Sequence, residues 1–133
     1  MKLDEAKSKA CSYIDEIKDE LIAVSHAIHE NPELGYEEHF AHERLTKVLM
    51  NKGLTVSTNA YELETAFEAT AGESGPIVAL LCEYDALPGI GHACGHNIIA
   101  AAGLGAGLAV STLADTFNGR LRILGTPAEE GGG

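Results

Sequence analysis

A strand, a helix and a second strand follow one another between residues 76 and 127, and this order limits the possible folds more than any other feature. PIVALLCEY at 76–84 is apolar almost throughout, and GRLRILGTP at 119–127 is a second β-type run. The segment between them, Asn97 to about Ala114, predicts a helix rich in alanine and glycine. A helical crossover makes the two strands parallel and is nearly always right-handed. The pattern therefore predicts an α/β fold.

The remaining periodicity predicts two helices and two shorter strands before this unit. Apolar residues three or four apart indicate helices over 3–30 and about 36–52, and β-type runs follow at 54–58 and 65–71. The turn GESGP suggests an antiparallel hairpin between the last run and 76–84, whose apolar character on both faces is typical of a central strand. We expect a three-layer αβα fold with a mixed, partly parallel sheet.

Composition excludes several classes of partner and compartment. The 133 residues carry 9 Lys+Arg against 20 Asp+Glu, a formal charge of -11, which argues against nucleic acid or an anionic membrane as a partner. The three cysteines, Cys11, Cys82 and Cys94, are odd in number and far apart, unlike a disulfide framework. The N-terminus is charged, and every apolar run is shorter than the ~20 residues that a membrane-spanning helix needs. We therefore expect a soluble cytoplasmic protein.

The helix after residue 96 is unusually rich in glycine. Gly103, Gly105 and Gly107 each cost up to about 1 kcal/mol relative to alanine in a helix interior, so we expect close packing on the sheet to hold this helix. A dinucleotide loop is disfavoured, because these glycines lie inside the helix and not in the turn that opens it. Asn97 is the expected N-cap.

Polar residues cluster where the two parallel strands end, which is the edge at which open α/β sheets bind ligands. Cys94 and His96 are separated by one glycine and would point to one side of an extended segment, so they could bind one ion. Two adjacent glutamates diverge in an extended backbone, so we expect Glu129 or Glu130 to supply a third ligand from the second strand while the other holds the attacking water as a general base. Asp85 follows the first strand at the same edge.

A purely structural interpretation of the same residues stays open. A Cys-x-His pair in a loop is more often a buried thiol beside a hydrogen-bonded histidine, and adjacent glutamates are usually solvated. His92 has no assigned role, and the histidines of the two N-terminal helices are expected to be solvated or packed. Only the convergence of both groups on one sheet edge favours a site.

Three linked segments together resemble the M20 metallopeptidases, in the amidohydrolase branch with aminoacylase-like and aminobenzoyl-glutamate hydrolase-like enzymes. They are HENPELGYEE at 29–38, EYDALPGIGHACGHN at 83–97 and GTPAEEGGG at 125–133. The resemblance implies a zinc-peptidase-like catalytic domain with two divalent metal ions, zinc or manganese. It also implies hydrolysis of small amides: N-acyl amino acids, aminobenzoyl-glutamate-like amides or dipeptides.

Matched by position, the resemblance implies a role for each candidate residue. Cys94, His96 and Glu130 would be metal ligands, and Glu129 would be the general base. Asp85 would be an acidic group that orients the site near the metals. The family often has Asp at the position of Asn97. This difference, and the Glu-Tyr pair at 83–84, make the chain more similar to the aminobenzoyl-glutamate and dipeptidase-like subgroup.

Members of the family are much longer than this chain. The resemblance therefore implies that residues 1–133 are the N-terminal portion of a catalytic domain, without the dimerisation domain, and that the full-length protein is a homodimer. The chain alone is expected to be inactive. The alternative is a non-catalytic folded fragment or metal-binding module that lacks a complete active site.

Overall fold

Three helices and four strands follow the order predicted from the sequence pattern. The structure is a computed structural model, and it describes residues 1–131. The helices and strands, with their bounds, are α1 (Leu3–Glu30), α2 (His39–Asn51), β1 (Thr55–Ser57), β2 (Phe67–Ala71), β3 (Ile77–Glu83), α3 (His96–Ser111) and β4 (Arg120–Thr126). Short 3-10 turns cover Ala60–Glu62 and Glu129–Gly131.

The four strands form one mixed sheet in the order β1-β2-β4-β3. β3 and β4 are parallel, with Ile77 opposite Arg120 and Glu83 opposite Thr126, whereas β2 pairs antiparallel with both β1 and β4. The predicted β3-α3-β4 unit and the α/β class with a mixed sheet are therefore confirmed. The carboxyl ends of β3 and β4 open on the same edge.

The predicted hairpin between β2 and β3 is wrong, because β4 lies between these two strands. The turn that joins β2 to β3 instead passes over the beginning of β4. Gly75 has φ +90, and an added Cβ would lie 1.6 Å from the Asn118 carbonyl oxygen. Arg120 donates its backbone N–H to Pro76 O at 2.8 Å and its Nε–H to Gly75 O at 2.9 Å.

β3 is an edge strand among the described residues, so its predicted central position is not seen there. Val78 and Leu81 are 58% and 51% exposed, although Cys82 is fully buried. The helix-facing side of the sheet is covered, with Phe67 and Ile123 in the core. The apolar sequence of β3 indicates that the strand is suited to burial, but it does not indicate which neighbouring elements cover it.

Two of the three glycines of α3, Gly103 and Gly107, bring this helix close to the sheet, as predicted, whereas Gly105 faces Leu21 of α1 and not the sheet. An added Cβ at Gly103 would lie 2.6 Å from the Leu81 carbonyl oxygen, and one at Gly107 would lie 2.4 Å from Ile123 Cδ1. Side chains larger than hydrogen at these positions would push α3 away from β3 and β4. The residue at which α3 begins is therefore held firmly at the sheet edge.

The predicted N-cap of α3 is wrong by two residues. The helix begins at His96, and Gly95 is the N-cap with a left-handed φ of 79. Asn97 lies inside the helix, where its amide donates to Ser25 Oγ on α1 at 3.0 Å. Glycine is favoured at a left-handed position, so the chain turns into the helix at Gly95, two residues before the predicted N-cap.

Across residues 1–131, none of the helices combines the length and the apolar character that crossing a membrane would require.

Candidate metal centre

The buried imidazole of His96 lies at the centre of the candidate site. It is the first residue of α3, and its Nδ1 lies 2.8 Å from the Asp85 backbone oxygen and 3.1 Å from Asp85 Oδ1. A backbone carbonyl can only accept a hydrogen bond, so we assign the hydrogen to Nδ1. In the neutral ring, Nε2 then presents a lone pair to whatever lies opposite.

Three carboxyl groups face that Nε2 atom. Glu83 Oε2 lies 3.2 Å away, and Glu129 Oε2 and Glu130 Oε1 each lie 3.5 Å away. Carboxylate oxygens are hydrogen-bond acceptors, so four acceptors converge on one point unless a proton or a cation lies between them. Imidazole nitrogen and carboxylate oxygen are both ligands of zinc and its first-row neighbours, so these donors suit a divalent cation.

Glu83 is the member of this group that the sequence analysis missed. Ligand atoms of Glu83, His96 and Glu129 all lie within 4.8 Å of one another. Glu83 ends β3 and precedes Asp85 by two residues, so the alternation of side chains along an extended segment could have placed both at one site. In the sequence, the Glu-Tyr pair at 83–84 indicated only a similarity to the aminobenzoyl-glutamate and dipeptidase-like subgroup.

Cys94 lies beside this group and is exposed. The neighbouring Glu130 carboxyl, through a hydrogen bond, raises the pKa of the Cys94 thiol. The extended geometry assumed for Cys94 and His96 is wrong, because Gly95 is left-handed and His96 already belongs to the helix. The thiol nevertheless lies next to a carboxyl group that faces His96.

Glu129 and Glu130 lie in a 3-10 turn and not in an extended segment, so their predicted divergence is wrong. Both face His96 at the same distance of 3.5 Å. They differ in their surroundings: the side chain of Glu129 is 47% exposed and that of Glu130 is 28% exposed. Because Glu130 also donates its backbone N–H to Asp85 Oδ2 at 3.0 Å, it is the more firmly held of the two.

Asp85 connects the two halves of the site. Its side chain is buried, with one carboxyl oxygen near His96 Nδ1 and the other accepting the Glu130 N–H. A carboxyl group behind a histidine ligand fixes the ring orientation and raises the basicity of the metal-facing nitrogen. This geometry suits an orienting group, the role that the family resemblance implied for Asp85.

His92, in the loop before α3, is also buried. Neither ring nitrogen has a hydrogen-bond partner among residues 1–131, and its ring lies 6.5 Å from that of His29 between centroids. Burial is the main cause that lowers the pKa of His92. A neutral imidazole packed against the end of α1 fits these surroundings.

Comparison with known proteins gives one consistent set of relatives. The profile of peptidase family M20/M25/M40 matches residues 79–133. The chain is 43% identical to the Xaa-Arg dipeptidase of Mus musculus over 98% of its own length, and 34% identical to a p-aminobenzoyl-glutamate hydrolase chain of Escherichia coli over 82%. The matches cover 34% and 27% of those proteins, so the chain spans about a third of their length.

A solved structure agrees with this set. The chain superposes with a TM-score of 0.79 and 26% identity on a Bacillus subtilis protein described as a dinuclear metal-binding peptidase from the M20 family. The superposition covers 87% of this chain and 36% of that protein. The fold and the sequence therefore lead to the same family.

Proposed function

The chain belongs to the M20 family of peptidases, and from this premise we propose that its protein is a metal-dependent amidohydrolase. The observation that carries the proposal is the convergence of three carboxyl groups on His96 Nε2, with the ring fixed from behind by Asp85. The second candidate is a folded module without catalysis, and metal content and turnover of the full-length protein distinguish it from an amidohydrolase.

We propose that Cys94, His96 and Glu130 are metal ligands and that Glu83 is a further donor. These assignments are supported by the thiol of Cys94, the imidazole of His96 and the carboxyl groups, which lie together at one sheet edge and are all potential zinc ligands. Two divalent cations, zinc or manganese, are proposed because the superposed Bacillus subtilis protein is described as dinuclear. When bound, such cations polarise the scissile carbonyl and lower the pKa of the attacking water.

The proton transfers are assigned to Glu129. Its carboxyl group is the more exposed member of the pair, so a substrate can approach it while its neighbour stays tied to Asp85. Glu129 takes a proton from the attacking water at a carboxyl oxygen and later gives it to the nitrogen of the leaving amine. Asp85 keeps the Nδ1 hydrogen of His96 in place throughout.

The substrate class is a small amide with an amino acid on at least one side of the bond. Relatives named as a dipeptidase, an aminobenzoyl-glutamate hydrolase and an N-acetyl-L-cysteine deacetylase share this chemistry. Dipeptides are the first substrates to assay, because the dipeptidase is 43% identical over almost the whole chain. A homodimer and a cytoplasmic location are proposed for the full-length protein and can be tested by ultracentrifugation and cell fractionation.

The proposal is tested by separating metal binding from turnover. We expect Glu129→Gln in the full-length protein to keep its metal, measured by elemental analysis, while kcat falls by several orders of magnitude. Cys94→Ala and His96→Ala are expected to lower the metal content. Unchanged turnover in Glu129→Gln removes this residue from the base role, and a full-length protein without metal or turnover would favour the non-catalytic module.

A further inference from the structure

The segment that joins α1 to α2 contacts both polar motifs of the candidate site, although it supplies none of the proposed ligands. Glu33 accepts the backbone N–H of Ala86 at 2.7 Å, next to Asp85. An added Cβ at Gly35 would lie 2.8 Å from Ala128 Cβ, next to Glu129. The segment is therefore packed against the backbone on both sides of the metal centre.

Glu38 is the fully buried acidic residue of this segment. Its side chain has no exposed surface, and it lies directly before α2, at the N-cap position. It does not cap that helix. The backbone N–H groups of Phe40 and Ala41 donate instead to the carboxyl oxygens of Glu33, at 2.8 and 3.0 Å. Glu33 therefore caps the start of α2. The burial of Glu38 must be explained by another contact.

That contact is with the residue before the catalytic pair. Glu38 Oε1 accepts the backbone N–H of Ala128 at 2.8 Å, and Oε2 accepts the hydroxyl hydrogen of Thr65 at 2.8 Å. Ala128 has φ 58, a left-handed conformation that an alanine rarely adopts. Surrounding contacts must hold such a residue in place, and the hydrogen bond to Glu38 is one of them.

Gly35 restrains the same residue by close packing. Its φ is not in the left-handed range, so the backbone there does not require glycine. Space does, because any side chain would meet Ala128 at 2.8 Å. Ala128 is therefore held by a hydrogen bond to Glu38 and by close packing on Gly35, and the turn that begins there directs Glu129 and Glu130 toward His96.

We propose that Glu38 is a positioning residue: its buried carboxyl group holds the left-handed backbone of Ala128 so that Glu129 and Glu130 face the metal centre. The inference rests on the proposed function. Outer groups that orient metal ligands typically change metal affinity or activity by about 10- to 100-fold when they are removed. We expect an effect of that size for a change that removes both acceptor oxygens of Glu38.

The test compares four variants of the full-length protein, with zinc ion alone as the binding probe. Glu38→Met keeps the length of the side chain but accepts no hydrogen bond, and Glu38→Gln keeps one oxygen for the Ala128 N–H. Thr65→Val removes only the other contact of Glu38. Gly35→Ala presses on Ala128 and leaves Glu38 intact. Zinc affinity is measured by chelator competition well below the unfolding temperature, with kcat and KM on a dipeptide.

We expect Glu38→Met to lower zinc affinity and kcat by about 10- to 100-fold with a smaller change in KM, and Glu38→Gln to recover most of the loss. Thr65→Val should stay near wild type, and Gly35→Ala should lower zinc affinity. A folded Glu38→Met with wild-type affinity and kcat overturns the inference, as does a Glu38→Gln that is equally damaged. If Glu38→Met does not fold, an unchanged zinc affinity in Gly35→Ala overturns it.

Failure of the inference and failure of the proposed function give different results. If wild type binds zinc and Glu129→Gln abolishes turnover while the Glu38 variants behave as wild type, only the positioning role is lost. If wild type neither binds zinc nor turns over a dipeptide, both proposals are overturned together.

Discussion

Adding one methyl group at Gly103 tests whether close packing of α3 on the sheet holds the first residue of the helix, His96, in place. In Gly103→Ala the new Cβ would lie 2.6 Å from the Leu81 carbonyl oxygen and 2.8 Å from Cys82 Sγ. The first of these neighbours belongs to the backbone of β3, which is paired with β4 along its length. The strand cannot turn away as a side chain can, so the helix itself must move outward.

Two opposing effects set the magnitude. Replacing glycine by alanine in a helix interior gains about 1 kcal/mol, and overpacking a well-filled interior costs about 1 to 3 kcal/mol. Because a backbone atom limits relaxation at Gly103, we expect a net loss of about 1 to 2 kcal/mol in the free energy of unfolding. The matched control is Gly105→Ala, whose nearest neighbour at 2.7 Å is the terminal methyl Cδ1 of Leu21.

Urea unfolding followed by circular dichroism measures both variants. The flexible end of Leu21 can rotate away, so we expect Gly105→Ala to lie within about 0.5 kcal/mol of wild type or to be more stable, by up to the helix gain of about 1 kcal/mol. The slopes with urea should be the same in all three proteins if the unfolding is two-state. A Gly103→Ala variant at least as stable as Gly105→Ala would refute the claim that contact with the strand backbone requires glycine.

Three further predictions address the site and the core. Glu83→Gln should weaken zinc binding at least 10-fold, measured by chelator competition. The control is Glu73→Gln, a change at an exposed residue of the β2–β3 turn, which should leave zinc affinity unchanged. Equal zinc affinities in the two variants would remove Glu83 from the ligand set. Zinc should protect Cys94 from iodoacetamide without slowing the exposed Cys11, as read by mass spectrometry, and an unprotected Cys94 argues against ligation. Burial raises the pKa of Cys82 from 9.0 to about 12, so between these values only the unfolded chain ionises this thiol. The free energy of unfolding should then fall as pH rises above 9, by up to about 1.4 kcal/mol per pH unit. Cys82→Ala should lack this component, and parallel pH profiles would contradict it.

Local pattern was sufficient for the elements and for much of the site. Helical periodicity predicted α1 and α2 to within a few residues, and the β3-α3-β4 order predicted a parallel pair whose ends share one edge. This prediction worked because the chirality of the backbone leaves few ways to connect two adjacent parallel strands. Strand order along the chain was therefore enough to bring Asp85, His96 and the glutamate pair to the same place.

Strand pairing could not be predicted in the same way. β2 pairs with β4, which begins 49 residues after β2 ends, and not with β3, which follows it directly. Both arrangements satisfy the alternation of side chains along β2, so the sequence pattern does not distinguish them. The choice depends on which strand the sheet brings next to β2, and that is a property of the packed structure.

Residue types and their order along the chain establish which chemical groups this protein can use, and packing in three dimensions establishes how those groups are arranged. The presence of histidine, cysteine and paired acidic residues at strand ends is a local property, because it depends only on residue type and on the order of the elements along the chain. Glu38 accepts a hydrogen bond from a residue 90 positions away, and Glu83 faces His96 from another element. Contacts of this kind exist only when α2, β3, α3 and β4 are packed together, because hydrogen bonds act over about 3 Å in space whatever the separation along the chain.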